Sequence, residues 1–221
     1  MKVQWYGQSS FALTTPELRV FIDPFGDMSP AAGRGLQFEY PAIDAEADLL
    51  LVTHEHLDHN GVEAVGGDPV VLRSTAGRHE SPAGEVVGIA SEHDAVAGTE
   101  RGPNTIYVFE LDGVRVAHLG DLGQPSLRPE QVAAIGEIDL LFVPVGGGPT
   151  NGAPEGLALV ELLSPRWVVP MHYRTERINF LEPADEFLAG VGQVEHVEGA
   201  SFDTAELPVV DGPLAVVPKA P

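Results

Sequence analysis

The stretch Asp48-Leu49-Leu50-Leu51-Val52-Thr53-His54-Glu55-His56-Leu57-Asp58-His59-Asn60 decides how this chain is read. An apolar run of strand length, residues 48–53, delivers the backbone into three histidines and a carboxylate packed into residues 54–59. In extended backbone, residues i, i+2 and i+4 point to one side, so His54, His56 and Asp58 can converge. The chain then turns toward a short helix expected over 61–65, with Asn60 placed to cap it. That turn can carry His59 to a second centre. Imidazole and carboxylate donors together suit a borderline divalent cation. One metal can take the first two histidines, while Asp58 and His59 begin a second site. A merely solvated polar loop would need neither the apolar strand before it nor Leu57 within it.

Working outward, further ligand-capable side chains stand where other apolar runs end. His93 follows the run at 85–90, Asp121 follows 114–119, and His172 follows 166–171. Loops at strand ends are where a rigid scaffold collects functional groups. The remaining strand-like runs lie near 2–6, 10–14, 18–23, 69–73, 104–111, 139–145 and 193–197. Asp112-Gly113 between two such runs predicts a two-residue hairpin turn. Leu140-Leu141-Phe142-Val143-Pro144-Val145, apolar without alternation, predicts a strand buried on both faces. Helices are expected at 129–135, 154–163 and 183–190. Many strands with few helices predict an α+β fold of two sheets with helices outside. Residues 25–41, rich in Gly, Pro and Ala, show no period and are read as either a flap over the site or a surface loop. Residues 1–207 read as one domain, and 208–221, with four prolines, as an extended C-terminal tail. His79 and His196, in polar surroundings, are read as solvent-facing.

Composition narrows the partners. The 221 residues are 43% hydrophobic and 20% charged, which is globular rather than disordered. Net charge is −21 and the only lysines are Lys2 and Lys219. Nucleic acids and anionic membrane surfaces draw affinity from Lys and Arg, so both are disfavoured as partners. No run approaches the ~18 apolar residues of a membrane span, and Met1–Tyr6 lacks the apolar region of an export signal. The expectation is a cytoplasmic protein acting on a small-molecule substrate, with homo-oligomerisation left open. With no cysteine, neither a thiolate nucleophile nor a thiolate ligand exists.

The run Thr53–Asn60 resembles the His-x-His-x-Asp-His signature of the metallo-β-lactamase superfamily. Phe21-Ile22-Asp23-Pro24-Phe25 is similar to its early Asp-Pro turn, and His118-Leu119-Gly120-Asp121 to its His-x-Gly-Asp element. Pro144-Val145-Gly146-Gly147-Gly148 and Val169-Pro170-Met171-His172-Tyr173 resemble the branch of ascorbate-6-phosphate lactonase-like proteins. The resemblance implies an αββα sandwich, two mixed β-sheets flanked by helices, with two metals at one edge. It implies that His54, His56 and His93 hold one metal, that Asp58, His59 and His172 hold the other, and that Asp121 bridges them. His118 is placed outside the ligand set, and Asp23 is expected to orient the histidine loop. Thr150, Tyr173 and Arg174 are expected near the substrate or behind the ligands. Gln8 is a departure, because the branch often has His in the corresponding Gly-His-Ser stretch.

The activity implied is hydrolysis of a lactone, ester or phosphodiester by hydroxide generated on two divalent cations, Asp58 handling the proton. Zn²⁺ is the first expectation, and a site of nitrogen and oxygen donors also accepts Mn²⁺ or Fe²⁺. Two rivals share the fold: a redox di-iron protein and a non-catalytic metal-binding module. Oxygen-reducing relatives typically carry Glu where this chain has His56. Gly146-Gly147-Gly148 lacks the following Gly-Lys-Ser/Thr of a nucleotide loop.

Overall fold

Period-two burial sorts the strands into layers. In a computed structural model, which describes residues 1–221 with the side chain of Ala32 excepted, the chain opens with β1 (Lys2–Gly7), β2 (Ser10–Thr14), β3 (Arg19–Ile22), β4 (Ala45–Val52) and β5 (Val65–Arg73). It continues through β6 (Gly77–Ser81), β7 (Gly84–Glu92), β8 (Pro103–Leu111), β9 (Val114–His118), β10 (Leu140–Pro144) and β11 (Trp167–Met171). Three short strands, β12 (Val194–His196), β13 (Ser201–Asp203) and β14 (Leu214–Val217), complete the order. The helices are α1 (Ser29–Ala32), α2 (Pro129–Ile135), α3 (Ala153–Leu163) and α4 (Asp185–Val191).

Two mixed sheets result, an α+β sandwich. The first runs β13-β1-β2-β3-β4-β5 and the second β12-β14-β11-β10-β9-β8-β7-β6. Leu49 and Leu51 of β4 face the interior with Val3, Trp5, Phe11 and Ile22, while Leu50 lies with Phe21 in a smaller cluster on the other side. Each such side chain, fully buried, contributes about 1.5–3 kcal/mol. All five residues of β10 and of β11 are buried, as parallel strands covered on both faces require. The β8–β9 hairpin turns through Asp112 and Gly113 at φ +56° and +70°, a geometry natural to Asp-Gly.

Several expectations need correction. The segment 208–221 is not a tail apart from the domain. It supplies β14, which pairs in parallel with both β11 and β12 and buries Leu214, Ala215 and Val216. The helix expected at 61–65 is a single 3₁₀ turn, Val62–Ala64, and Asn60 does not cap it; its amide donates to Glu55 instead. Residues 25–41 are neither structureless nor a free surface loop. They contain α1, and Phe25 and Tyr40 pack with Ile178 and Leu181. The Tyr40 hydroxyl meets Thr175 Oγ1 at 3.0 Å, and Phe38 bridges Ile178. His79 is only half exposed, with a shielded Nε2, whereas His196 is exposed.

Topology gathers the chemistry at one edge. Asp23 follows β3, the histidine loop follows β4, His93 follows β7, Asp121 follows β9 and His172 follows β11. The β1–β2 turn, Gln8-Ser9, reaches the same edge, where its atoms bond Asp58, Asp121 and His118.

Candidate metal centre

The seven ligand-capable residues fall into two groups. His54, His56 and His93 bring one ligand atom each within 4.8 Å of one another, and so do Asp58, His59, Asp121 and His172. Asp121 lies between them. Its Oδ2 is 3.2 Å from His93 Nε2, 3.2 Å from His172 Nε2 and 3.8 Å from His54 Nε2, and its Oδ1 is 3.2 Å from His59 Nε2.

Four of the five rings are aimed by a bond on the nitrogen turned away from the cluster. His59 Nδ1 donates to Asp23 Oδ2 at 2.9 Å. His93 Nδ1 donates to the Pro149 carbonyl at 3.0 Å. Thr53 Oγ1 gives its proton to Asp23 Oδ2 at 2.7 Å and so accepts from His54 Nδ1 at 3.1 Å. Thr150 Oγ1 stands 3.4 Å from His172 Nδ1. The Nε2 of each of these four rings is therefore the atom turned toward the cluster. A ligating histidine is ordinarily held this way through its outer N–H.

What remains at the centre is a convergence of electron-pair donors. His59 Nε2 is fully buried, with Asp121 Oδ1 3.2 Å and Asp58 Oδ2 3.6 Å away. His54 Nε2 and His56 Nδ1 face each other at 3.1 Å. Nitrogen and carboxylate oxygen atoms packed this closely are held together by shared protons or by cations lying among them. The residues thus fit divalent metal, with imidazole and carboxylate as ligands and no thiolate.

Electrostatics divides the groups. Burial, reinforced by neighbouring imidazoles, holds His54 and His56 below the ordinary histidine range, and burial does the same to His172. At His59 burial acts downward too, but Asp121, Asp58 and Asp23 outweigh it and raise the ring well above its usual value. Burial would raise Asp121, yet His172 and His59 hold it well below the carboxylate range.

Other expected residues are placed as follows. Asp23, fully buried at φ +50°, accepts from Thr53 N at 2.7 Å as well as from Thr53 Oγ1 and His59. His118 is buried outside both groups, its Nε2 donating to the Ser9 carbonyl and its Nδ1 accepting from Gly120 N. Thr150 is buried behind His172 rather than open to substrate. Tyr173 is buried and stacked on Trp5 at 5.7 Å, which sets it in the core, and burial keeps its phenol protonated. Arg174 is exposed. Gly146 earns its place sterically, since a Cβ there would fall on the His172 carbonyl.

Sequence reasoning missed four contributors. Asn104 is buried, donates to the Leu119 carbonyl at 2.8 Å and accepts from Asp121 N at 3.1 Å, which fixes the Asp121 loop. The Pro149 carbonyl orients His93. Gln8 and Ser9 bond Asp58 and Asp121. No local pattern marks any of them, although Gln8 stood out as a departure.

The matched domain model, described as a beta-lactamase superfamily domain, spans residues 2–172. The chain belongs to the metallo-β-lactamase superfamily. Among its relatives, a UPF0173 metal-dependent hydrolase of Thermococcus onnurineus is 33% identical over 198 residues, 79% of this chain and 85% of that one. One from Thermus thermophilus is 32% identical over 199 residues, covering 79% and 84%. A Thermotoga maritima structure assigned to the superfamily is 32% identical, covers 99% of both chains and superposes with a TM-score of 0.78. The link to lactonase-like proteins rests on residues 144–148 and 169–173 alone.

Proposed function

We propose that this metal-dependent hydrolase works through a two-metal centre and cleaves a lactone, ester or phosphodiester in a small molecule. The observation that carries the reading is the Asp121 carboxylate, set between two separate ligand groups with each oxygen 3.2 Å from an imidazole nitrogen. His54, His56 and His93 would hold one cation, Asp58, His59 and His172 the other, with Asp121 shared. Bound there, a pair of divalent cations lowers the pKa of water from ~15.7 toward ~7 and polarises the bond to be cut. Zn²⁺ is the first choice for nitrogen-rich ligands, with Mn²⁺ and Fe²⁺ also compatible.

The chain's own groups do the rest. Asp58, partly exposed and 3.6 Å from His59 Nε2, sits where a carboxylate can take the proton released in hydrolysis. Asp23, Thr53, Pro149 and Thr150 hold the rings in place, so little reorganisation accompanies the reaction. A charge of −21 disfavours nucleic acid as substrate, and no helix is long and apolar enough to cross a membrane. We place the protein in the cytoplasm with a small organic substrate.

The test is hydrolysis of a panel of lactones, esters and phosphodiesters before and after metal removal. Chelation should abolish turnover, and Zn²⁺ or Mn²⁺ should restore it. A fully loaded protein that cleaves nothing, or consumes oxygen instead, overturns the hydrolytic reading in favour of a binding module or a di-iron redox protein.

A further inference from the structure

Gln8 is conspicuous for its costs. It is fully buried, sits at φ +53° in the tight β1–β2 turn, and leaves its Oε1 without a partner among the described residues. A non-glycine residue in left-handed backbone and an unpaired buried acceptor are both unfavourable. Such strain persists where surrounding structure holds it, and it clusters at functional sites. The amide's one side-chain bond runs from Nε2 to Asp58 Oδ2 at 3.3 Å. A carboxylate only accepts, so this contact sets which end of the amide faces it.

Ser9, the next residue, is also fully buried, and its Oγ donates to Asp121 Oδ1 at 3.4 Å. Two consecutive side chains of one turn therefore donate to the two carboxylates of the second ligand group. The same turn is anchored from beneath: Trp5 Nε1 donates to the Gln8 carbonyl at 3.0 Å and His118 Nε2 to the Ser9 carbonyl at 3.0 Å. Neither side chain bonds to His54, His56 or His93.

We propose that Gln8 and Ser9 act as a two-pronged positioning clamp, holding the Asp58 and Asp121 carboxylates in place for the metal of the Asp58–His59–His172 group. The inference rests on the two-metal reading and adds residues to it. Its signature is selectivity: loosening the clamp should weaken one metal more than the other, whereas a merely structural turn would affect both alike or neither.

The experiment is a calorimetric titration of the metal-free full chain with Zn²⁺, with bound metal counted after dialysis. Wild type should take two equivalents. Gln8→Leu should keep one site at wild-type affinity and lose about 10–100-fold at the other, as for outer-shell partners of metal ligands. Ser9→Ala, which frees the Asp121 Oδ1 that faces His59, should weaken that same site more than the one it shares Asp121 with. Gln8→His, which restores an N–H donor, should recover most of that loss. Should Gln8→Leu fail to fold, Ser9→Ala, a smaller change, decides alone. Two sites of wild-type affinity in these variants, or equal weakening of both, overturns the clamp. Wild type binding a single equivalent instead overturns the two-metal reading itself, which separates the two failures.

Discussion

The two ligand groups share one edge of the sandwich but are built from different materials. The first is three imidazoles, His54, His56 and His93, with His56 partly open to solvent. The second combines His59 and His172 with two carboxylates, and Asp23, a third, stands buried behind His59. Burial keeps His54 and His56 neutral, whereas the carboxylates raise His59 despite equal or deeper burial. One fold edge thus offers an all-imidazole site beside one built with carboxylates. Sites so different should bind metal with different affinity and different pH dependence, and contribute unequally to chemistry.

The sharpest break in that comparison should come from Asp58, the one residue of the second group that is not fully buried. Asp58→Ala should lower turnover by about 10²–10⁴-fold, the range for a lost general acid–base group. Because the side chain makes no core contact, the metal-free variant should still melt cooperatively. Full activity in Asp58→Ala would remove its assigned role.

Asp23→Ala comes next, and it attacks the support of the second group. It strips Thr53 N, Thr53 Oγ1 and His59 Nδ1 of their shared acceptor. Breaking a buried charged pair from one side costs about 3–5 kcal/mol, which chemical denaturation would read. Metal affinity should fall more at the second group than at the first, since His54 reaches Asp23 only through Thr53. Equal losses at both groups would show that the Asp23 connection to Thr53 matters more than its bond to His59.

His118 sharpens the comparison by belonging to neither group. Its ring is packed between Phe11 and Phe142, so His118→Phe conserves shape while leaving the Ser9 carbonyl and Gly120 N–H unpaired. The expected cost is about 1–3 kcal/mol per stranded group, with two equivalents of metal still bound. Loss of one metal would make His118 a ligand after all.

How much of this could be read from residues alone depends on distance along the chain. The His54–His59 loop was legible because its ligand-capable side chains are contiguous and follow an apolar strand. His172 and Asp121 were legible as strand-end residues once that loop was recognised. Asn104, Pro149, Gln8 and Ser9 were not. Ser9 meets Asp121 across 112 positions, and His93 is aimed by a backbone carbonyl, which carries no side-chain signature. Strand β14 was hidden for a related reason. Pro213 and Pro218 bracket only four strand residues, and parallel pairing with β11 is a property of the assembled sheet. The flap reading of 25–41 missed its anchoring because Phe25 and Tyr40 find their partners at 175–181, far away in sequence.

The subtlest difference between the groups concerns protons. His59 Nδ1 already gives its hydrogen to Asp23, so the raised affinity of this ring for a proton falls on Nε2, the atom a metal must take. Below that raised value the metal competes with the proton, and affinity at the second group should climb with pH until the ring deprotonates. The slope should approach one proton, or about tenfold per pH unit. His54 and His56 are held below the ordinary range, so near neutrality they have no proton to surrender, and these two rings add little pH dependence to binding at the first group. Zn²⁺ titrations at pH 7 in two buffers of different ionisation enthalpy would separate the phases. The phase belonging to the second group should release up to about one proton more than the other. Equal release in both phases would mean that the carboxylates act on the two groups alike, and the electrostatic division between them would fall.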